Sequence, residues 1–276
     1  MSRQVSHSEI TTYLDCQKKW DLIYNKGLTI DNVHLQFGSM GHKVLETREI
    51  PDEMLYPELK EEFGIQSWKN YFTTIFNELD EYFKDYEVLH KEYRVETEDI
   101  KGVIDVVWKN KTTGKILITD YKFSNKDKGQ EDILLDEQMY IYAVAYATLN
   151  NLTLQDIEIG YINIPKCEMK PPRVLKNGQL SKDKAQNTTY AMYVEAIKEN
   201  GLNISDYEDI LSEITDKRLI SVATSNINVE MATRIMTNID NTIKDMLNKD
   251  YVLEKCTFQC KYCDFLQYCK YNKPIN

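Results

Sequence analysis

The sequence lacks any run of uncharged apolar residues that approaches the roughly 18–20 needed to span a membrane. Its N-terminus lacks the apolar segment and the small-residue cleavage site of a signal peptide. It is also short of positive charge, with 34 basic against 44 acidic residues and a formal net charge of −10. These absences disfavour a membrane or secreted protein and predict a cytoplasmic one. They also argue against a protein that coats nucleic acid by bulk electrostatics.

The 276 residues are 42% hydrophobic and 28% charged, a mix typical of a folded globular protein. Hydrophobic periodicity predicts a helix that begins after Gly41 and others over about residues 6–24, 67–86, 131–149, 189–200 and 228–248. Alternating or continuous apolar residues predict a three-stranded meander within 93–121 and strands at 157–164 and 218–223. Residues 165–189 are predicted to form a loop. This order predicts a mixed α/β core without internal repeats.

Charge is unevenly distributed along the chain. Residues 46–99 hold 16 acidic and 6 basic residues, so the rest of the chain is balanced. Lysine-rich stretches at 106–130 and 165–190 could supply local phosphate contacts. Within the second stretch, Ser181 and Lys184 match the S-x-x-K form of serine acylases, but the companion motifs of that class are missing. Lys182 and Lys184 are therefore better explained as contacts to a nucleic-acid backbone.

The cysteines give the sharpest signal in the sequence. Four of them follow the spacing C-x3-C-x2-C-x5-C, namely Cys256, Cys260, Cys263 and Cys269. In a cytosolic chain such clustering indicates metal more often than disulfides, and a four-cysteine site suits zinc or an iron–sulfur cluster. The spacing does not choose between these metals, nor between Cys256 and the distant Cys16 as the fourth ligand. The isolated Cys167 is expected to be a small buried residue.

Two acidic residues on neighbouring predicted strands form a second candidate site. Asp105 ends the sequence G-V-I-D, and Asp120 opens D-Y-K fifteen residues later, so both can converge within the meander. Two carboxylates at close range repel each other unless a hard cation lies between them. Lys122 shares the strand face of Asp120, where it can orient or deprotonate a water and offset phosphate charge. The alternative is a surface Asp–Lys pair.

Two helical pairs could complete such a site. His42 and Glu46 lie one turn apart on the helix expected to open at Gly41, where an imidazole can join a metal site. Gln138 and Tyr142 are likewise one turn apart on the helix after D-Y-K. There they could hold the lysine or touch a nucleic-acid strand. If no other site residues lay beside them, Gln138 would be better interpreted as a solvated residue and Tyr142 as a core residue.

Together these residues resemble the PD-(D/E)XK nuclease superfamily in its RecB-like branch with an iron–sulfur cluster. That branch includes the nuclease domains of AddB-type helicase–nucleases, CRISPR adaptation nucleases and phage-encoded exonucleases. The resemblance covers most of the chain and rests on six motifs in the family's order: Ser6 to Cys16 (S-x-S-E-I-x2-Y-x2-C), Gly38 to His42, Asp105, Asp120-Tyr121-Lys122, Gln138 to Tyr142, and Cys260, Cys263 and Cys269. Gln17 stands where the family usually has proline, and Leu180 to Tyr193 looks most like phage-encoded members.

The resemblance implies a restriction-endonuclease-like fold, with a mixed central sheet flanked by helices, in one domain over residues 1–276 with helical additions. It implies a Mg²⁺ or Mn²⁺ site formed by His42, Asp105, Asp120 and the carbonyl of Tyr121. Lys122 would align the attacking water, and Glu46 would orient a metal ligand. The remaining catalytic and nucleic-acid-binding residues would be Gln138, Tyr142, Lys126, Lys128, Lys182 and Lys184.

The resemblance also assigns the fourth cysteine ligand. Cys16 would join Cys260, Cys263 and Cys269 in a [4Fe–4S] cluster, with zinc as the alternative metal and Cys256 as a bystander. Such a cluster would join the segments at about 1–25 and 250–276. It would stabilise the fold by closing a very long loop, and so act as a staple rather than a redox centre.

The implied function is a metal-dependent DNA exonuclease acting on single-stranded or frayed ends in phage or bacterial DNA recombination, repair or processing. A helicase or recombination partner would be consistent with it. One alternative is a DNA-end-binding module that recruits a helicase or integrase and barely cuts. Another is a zinc-stapled interaction protein without a nucleic-acid role. The excess acid of residues 46–99, which lies mostly in the helical segment before the strands, is expected to lie away from the substrate. The net charge predicts weak non-specific binding to duplex DNA.

Overall fold

In the computed structural model, which describes residues 3–30, 32–248 and 258–271, the chain forms a central five-stranded sheet. The strands follow the order β1 (Tyr86–Glu96), β2 (Lys101–Asn110), β3 (Ile116–Phe123), β4 (Ile157–Ile164) and β5 (Ser221–Asn226). β1, β2 and β3 form the antiparallel meander that the sequence predicts. β3 and β4 are parallel, and β5 pairs antiparallel with β4, so the sheet is mixed.

Helices cover both faces of this sheet. They are α1 (His7–Asp15), α2 (Gln17–Trp20), α3 (Val33–Thr47), α4 (Pro57–Phe63), α5 (Trp68–Tyr82), α6 (Gln130–Leu135), α7 (Glu137–Asn150), α8 (Tyr190–Glu199), α9 (Glu208–Glu213), α10 (Val229–Asn248) and α11 (Leu266–Tyr271). α3 and α5 pack on one face, and α1, α7 and α10 pack on the other. α6 and α7 form the crossover that parallel β3 and β4 require. This arrangement confirms the restriction-endonuclease-like α/β fold.

Several element boundaries differ from the sequence prediction. α3 begins at Val33, not at Gly41, because the side chain of Asn32 caps it by accepting a hydrogen bond from Leu35 N at 2.9 Å. The helix expected over 131–149 is broken at Asp136, whose carboxylate caps α7. β5 lies three residues later than expected, and the short α4 and α9 were not predicted.

The first predicted helix is broken at Cys16. This residue ends α1 in an extended conformation (φ −159°, ψ 107°), and its sulfur accepts a hydrogen bond from Lys19 N at 3.5 Å at the start of α2. The break therefore places the Cys16 sulfur at the N-terminus of α2.

Gly41 fixes how closely α3 approaches the sheet. A Cβ at this position would lie 2.3 Å from Cζ of Phe123 on β3, so only glycine allows this helix-to-strand distance. The close contact brings the next residue, His42, against Asp105 in the middle of β2 and against Tyr121 and Phe123 on β3. Within the described residues, no helix combines the length and the apolarity that crossing a bilayer requires.

Candidate active site

His42 on α3 faces Asp105 on β2. The imidazole Nδ1 lies 3.3 Å from one carboxylate oxygen of Asp105, and the other oxygen accepts a hydrogen bond from Tyr121 N at 2.7 Å. Asp105 is 8% exposed, so its charge is held in a poorly solvated place. Burial lowers the pKa of His42, but the hydrogen bond and charge of Asp105 outweigh it, so the net pKa is raised. The structure thus joins two of the residues that the sequence proposes as metal ligands.

Glu92 on β1 completes this group and was missed by the sequence analysis. One ligand atom each from His42, Glu92 and Asp105 lie within 4.8 Å of one another. Glu92 lies between Lys91 and Tyr93, whose partners on β2 are Val106 and Ile104, so its place in the register is opposite Asp105. Glu92 belongs to the acid-rich segment 46–99, but it lies on β1, after the helical part of that segment that is expected to lie away from the substrate.

The backbone of Glu92 is unusual for a strand. Its φ of +48° lies in the left-handed region, which costs a non-glycine residue on the order of 1–3 kcal/mol. Burial, followed by the charge of Asp105, raises the pKa of the Glu92 carboxyl. Glu92 is therefore subject both to electrostatic repulsion from Asp105 and to backbone strain. Only the presence of a glutamate just before an alternating strand could have indicated it in the sequence, and that signal is weak.

Asp120, Lys122, Gln138 and Tyr142 form a second group beside the first. Lys122 Nζ lies 2.7 Å from Oδ2 of Asp120, and Gln138 Nε2 donates to Oδ1 of Asp120 at 3.2 Å. The same Gln138 nitrogen lies 3.0 Å from the hydroxyl of Tyr142. A Cβ at Gly102 would lie 2.7 Å from the Tyr142 ring, so this glycine makes room for the ring beside β2. The structure thus brings the D-x-K and Q-x3-Y motifs together.

The electrostatics of Asp120 show that the two groups act on each other. Burial, followed by the charge of Asp105, raises the pKa of Asp120 to about 6, although Lys122 and His42 oppose both effects. Burial also raises the pKa of Tyr142 to about 12, so its hydroxyl stays protonated at neutral pH. Two acids held close together in a buried place need a cation to remain ionised.

Basic residues lie next to Lys122. The ammonium groups of Lys122 and Lys128 each lie 5.1 Å from the centroid of the Tyr161 ring. Asn163 is 1% exposed and holds the loop after β3, because its amide exchanges two 3.0 Å hydrogen bonds with the backbone of Lys128. Lys126 is exposed on the same loop. This loop therefore presents positive charge at the C-terminal end of β3.

Three other residues named from the sequence have local partners. Lys182 forms an ion pair with Asp209 at 2.8 Å, and Lys184 lies 3.5 Å from Glu213, so acids of α9 offset both charges. Glu46 forms an ion pair with Lys43 at 2.8 Å. In the part of the chain that the structure describes, Glu92, not Glu46, is the glutamate grouped with His42 and Asp105.

Four cysteines line one cavity at some distance in sequence from these residues. Cys16, Cys260, Cys263 and Cys269 border a space of about 260 Å³, together with Lys18, Lys19, Leu22, Phe265, Leu266 and Lys270. Leu22 and Phe265 are almost fully buried and give the cavity an apolar wall. The lysines place positive charge beside the sulfurs. Cys256 lies outside the described residues, and Cys167 follows β4.

α1 connects the cysteine cavity to the active site. It ends at Cys16 and begins at His7, whose half-buried ring feels the charges of Asp136 and Lys122. Burial is the main reason that the pKa of His7 is lowered. Tyr13 on the same helix donates a hydrogen bond to Asp245 on α10 at 2.8 Å. The Tyr13–Asp245 hydrogen bond therefore ties the middle of α1 to α10.

Known proteins resemble this chain in family and in fold. A family model described as the PD-(D/E)XK nuclease superfamily matches residues 4–270. A crystal structure from Eubacterium rectale described as “Putative exonuclease” is similar over 99% of this chain and 91% of its own, with 13% identity and a TM-score of 0.50. The crystal structure of SSO0001 aligns with 89% of this chain and 100% of its own, at 12% identity and a TM-score of 0.29.

A comparison with curated proteins finds no match. The match to the nuclease family nevertheless spans nearly the whole chain, and it includes all the residues of both active-site groups. The solved structure with the higher TM-score supports the fold, independently of any motif. The chain belongs to the PD-(D/E)XK nuclease superfamily.

Proposed function

We propose that this protein is a metal-dependent DNA exonuclease of the RecB-like branch that hydrolyses phosphodiester bonds at single-stranded or frayed DNA ends. The observation that carries the proposal is the pair of adjoining groups, His42–Glu92–Asp105 and Asp120–Lys122, at the same end of the sheet. The first group offers ligands for a cation, and the second offers a half-buried lysine held by a carboxylate. The net charge of −10 supports a preference for ends over long duplexes.

The ligands suit a divalent cation. His42, Glu92 and Asp105 would hold Mg²⁺ or Mn²⁺, with Asp120 and the carbonyl of Tyr121 completing the site. Carboxylates bind both cations. Because imidazole is a better ligand for Mn²⁺ than for Mg²⁺, this site would bind Mn²⁺ more readily than an all-oxygen site would. When bound, the cation would polarise the scissile phosphate and stabilise the charge that develops on the leaving oxygen.

The protein's own groups would then position the water and the lysine. The Lys122 ammonium is held by Asp120 at 2.7 Å and can orient the attacking water and offset phosphate charge. Gln138 bonds to both Asp120 and Tyr142, so it fixes the carboxylate that holds the lysine. Lys126 and Lys128 lie on the loop that follows and would contact phosphates of the substrate.

The test is a cleavage assay on end-labelled single- and double-stranded DNA, with anaerobically purified protein and either Mg²⁺ or Mn²⁺. We expect Asp120→Ala and Lys122→Ala each to abolish cleavage while the far-ultraviolet circular dichroism spectrum stays unchanged. Lys198→Ala, which removes an exposed lysine of α8, is the matched control and should cleave like the wild type. Wild-type activity in either active-site variant would contradict the mechanism. DNA-end binding without cleavage by the wild type would support the DNA-end-binding alternative.

We also propose that Cys16, Cys260, Cys263 and Cys269 hold a [4Fe–4S] cluster. The support is that all four line one cavity with an apolar wall and three lysines, whose charge would offset that of four thiolates. Zinc is the alternative for a four-cysteine site. Protein purified without air should be brown and contain iron, and Cys16→Ser should bleach it. A colourless wild-type protein that contains stoichiometric zinc would refute the cluster.

The biological setting belongs to the same proposal. The resemblance to phage-encoded exonucleases and helicase–nucleases supports a role in phage or bacterial DNA recombination, repair or processing. A helicase or recombination protein is the kind of partner that would supply single-stranded ends. The whole chain, residues 1–276, would act as one nuclease domain, with the cysteine cavity joining its first and last described segments.

A further inference from the structure

Gly38 is a glycine that the protein's own packing does not explain. It lies in the interior of α3, where glycine costs roughly 0.5–1 kcal/mol relative to alanine. Its backbone is not in the left-handed region, and a Cβ built on it would meet no atom within 4 Å. Gly41, three residues later, is the contrast, since a Cβ there would strike Phe123. The absence of a side chain at Gly38 therefore leaves open space rather than allowing a contact.

That open space borders the active site. Residues four apart on a helix share one face, and the side chain of a helical residue leans toward the preceding turn. The His42 imidazole therefore lies over the turn that contains Gly38, with Gly38 on the side away from Glu46. One further turn along the same face lies His34, which is exposed. A ridge formed by the half-buried His42 and Gly38 and the exposed His34 thus runs from the proposed metal ligands to the N-terminal end of α3.

A lysine stands at the far end of this ridge. Lys166, in the loop after β4, places Nζ 3.5 Å from both the carbonyl oxygen and Nδ1 of His34. Its ammonium lies 5.6 Å from the ring centroid of Phe37 and 5.2 Å from that of Phe63. Its backbone N–H is held by Asn125 Oδ1 at 2.8 Å. Lys166 has no carboxylate partner among the ion pairs of the described residues, unlike Lys182 and Lys184.

We propose that one strand of the DNA substrate runs along this ridge, with its sugar–phosphate backbone packed over Gly38 and a phosphate bound by Lys166. The inference rests on the proposed nuclease function and deepens it. His34 and His42 are eight residues apart, or roughly 12 Å at the helical rise, which spans roughly three nucleotides of a stacked strand. Glycine at position 38 lets the backbone approach the helix as closely as the metal site requires. Lys166 supplies the positive charge that the phosphate needs.

The first test is Gly38→Ala, with Ser39→Ala as the matched control. Both changes raise helix propensity, and Ser39 is an exposed neighbour on α3. We expect the melting temperature to stay the same or rise in both variants. Cleavage should fall by about 10–100-fold in Gly38→Ala alone, because a methyl group displaces the strand from the metal site. Binding of a fluorescent single-stranded oligonucleotide, measured by anisotropy in the cleavage-deficient Lys122→Ala background, should weaken in parallel.

The second test is Lys166→Gln, with Lys198→Gln as the control of equal charge change. Loss of one phosphate contact should reduce the slope of log affinity against log salt by about one in Lys166→Gln and leave it unchanged in Lys198→Gln. Wild-type cleavage and DNA affinity in Gly38→Ala, or an unchanged salt slope in Lys166→Gln, would overturn the inference while leaving the nuclease intact. A wild-type protein that neither binds nor cleaves DNA would instead overturn the proposed function.

Discussion

The active site and the cysteine cavity are assembled in opposite ways. The active site takes its residues from β1, β2, β3, α3 and α7, all of them between residues 42 and 142, and hydrogen-bonded strand pairs set their positions. The cysteine cavity takes one residue from position 16 and three from positions 260–269. No strand pairing of the described residues joins those two segments. The geometry of the candidate active site thus depends on sheet register, and the cavity depends on tertiary contact between distant segments.

This difference predicts different consequences of damage. When strand pairing positions the residues of a site, the protein should tolerate the loss of a single ligand without unfolding, because the sheet remains. The proposed cluster would close a loop of well over 200 residues and would stabilise the fold through chain entropy, by roughly 5 kcal/mol in the loop-closure model. α1 joins the two regions, since it runs from His7 beside the active site to Cys16. Changes to the cavity should therefore reach the active site through this helix.

The largest effect is expected from Asp105→Asn. It removes the charge between His42 and Tyr121 N while preserving an acceptor for the 2.7 Å hydrogen bond from that backbone. We expect cleavage to fall by roughly 10³-fold, with a melting temperature close to that of the wild type. End-labelled DNA assays and differential scanning calorimetry measure the two quantities. Asp206→Asn, at an exposed acid before α9, controls for the loss of one negative charge.

A collapse of the melting temperature in Asp105→Asn would break the comparison, because it would show that the sheet does not hold the site without its charge. Near-normal cleavage would contradict the role of Asp105 as a metal ligand. Asp206→Asn should change neither quantity.

The second effect, on stability, is expected from Cys16→Ser. Loss of one ligand of the proposed cluster should lower the free energy of unfolding by roughly 2–5 kcal/mol and the melting temperature by about 10 °C, and the iron that the proposal predicts should be lost with it. Cys167→Ser is the matched control, because this cysteine lies after β4 and outside the cavity. Thermal unfolding under nitrogen, with iron quantified in the same samples, measures both variants. Equal melting temperatures for Cys16→Ser and wild type would show that the cysteine cavity does not stabilise the fold by joining distant segments.

The sequence predicts the parts of the fold that follow local patterns. Alternating residues of the meander and the apolar run of β4 predict the sheet, and the capping positions explain the helix starts that were missed at Asn32 and Asp136. Motif residues Asp105, Asp120 and Lys122 come together because β2 and β3 are neighbours in both sequence and sheet. Helix α4 was missed because seven residues are too few for a periodic pattern to stand out.

Glu92 shows what sequence reasoning could not reach. Its inclusion in the site depends on the pairing of β1 with β2 and on a positive φ, and neither is a property of the residues near it in sequence. The link between Cys16 and the later cysteines came from the family resemblance, because spacing alone allowed Cys256 as well. Tertiary contact and backbone strain are the two features that a local pattern does not encode.

A smaller effect is expected from Gly41→Ala, which tests how α3 is seated on the sheet. The added methyl would lie 2.3 Å from the Phe123 ring, so ring or helix must move, at a cost of about 1–3 kcal/mol. Urea denaturation measures the loss. In a Phe123→Leu background the same substitution should cost less, and this double-mutant cycle isolates the contact. An equal cost in both backgrounds would show that Phe123 does not limit the approach of α3.

The smallest effect on stability is expected from substitutions of Glu92. Glu92→Gly should raise the stability of the metal-free protein but lower its affinity for metal. Glu92→Gly removes a non-glycine residue from φ +48° and should raise the free energy of unfolding of the metal-free protein by about 1 kcal/mol relative to Glu92→Gln. Both variants also relieve repulsion from Asp105, so their difference isolates the backbone strain. Both should weaken Mn²⁺ binding by about tenfold in calorimetric titrations without DNA. Unchanged Mn²⁺ affinity in both would remove Glu92 from the ligand set, and equal stability of the two would show that its backbone is not strained.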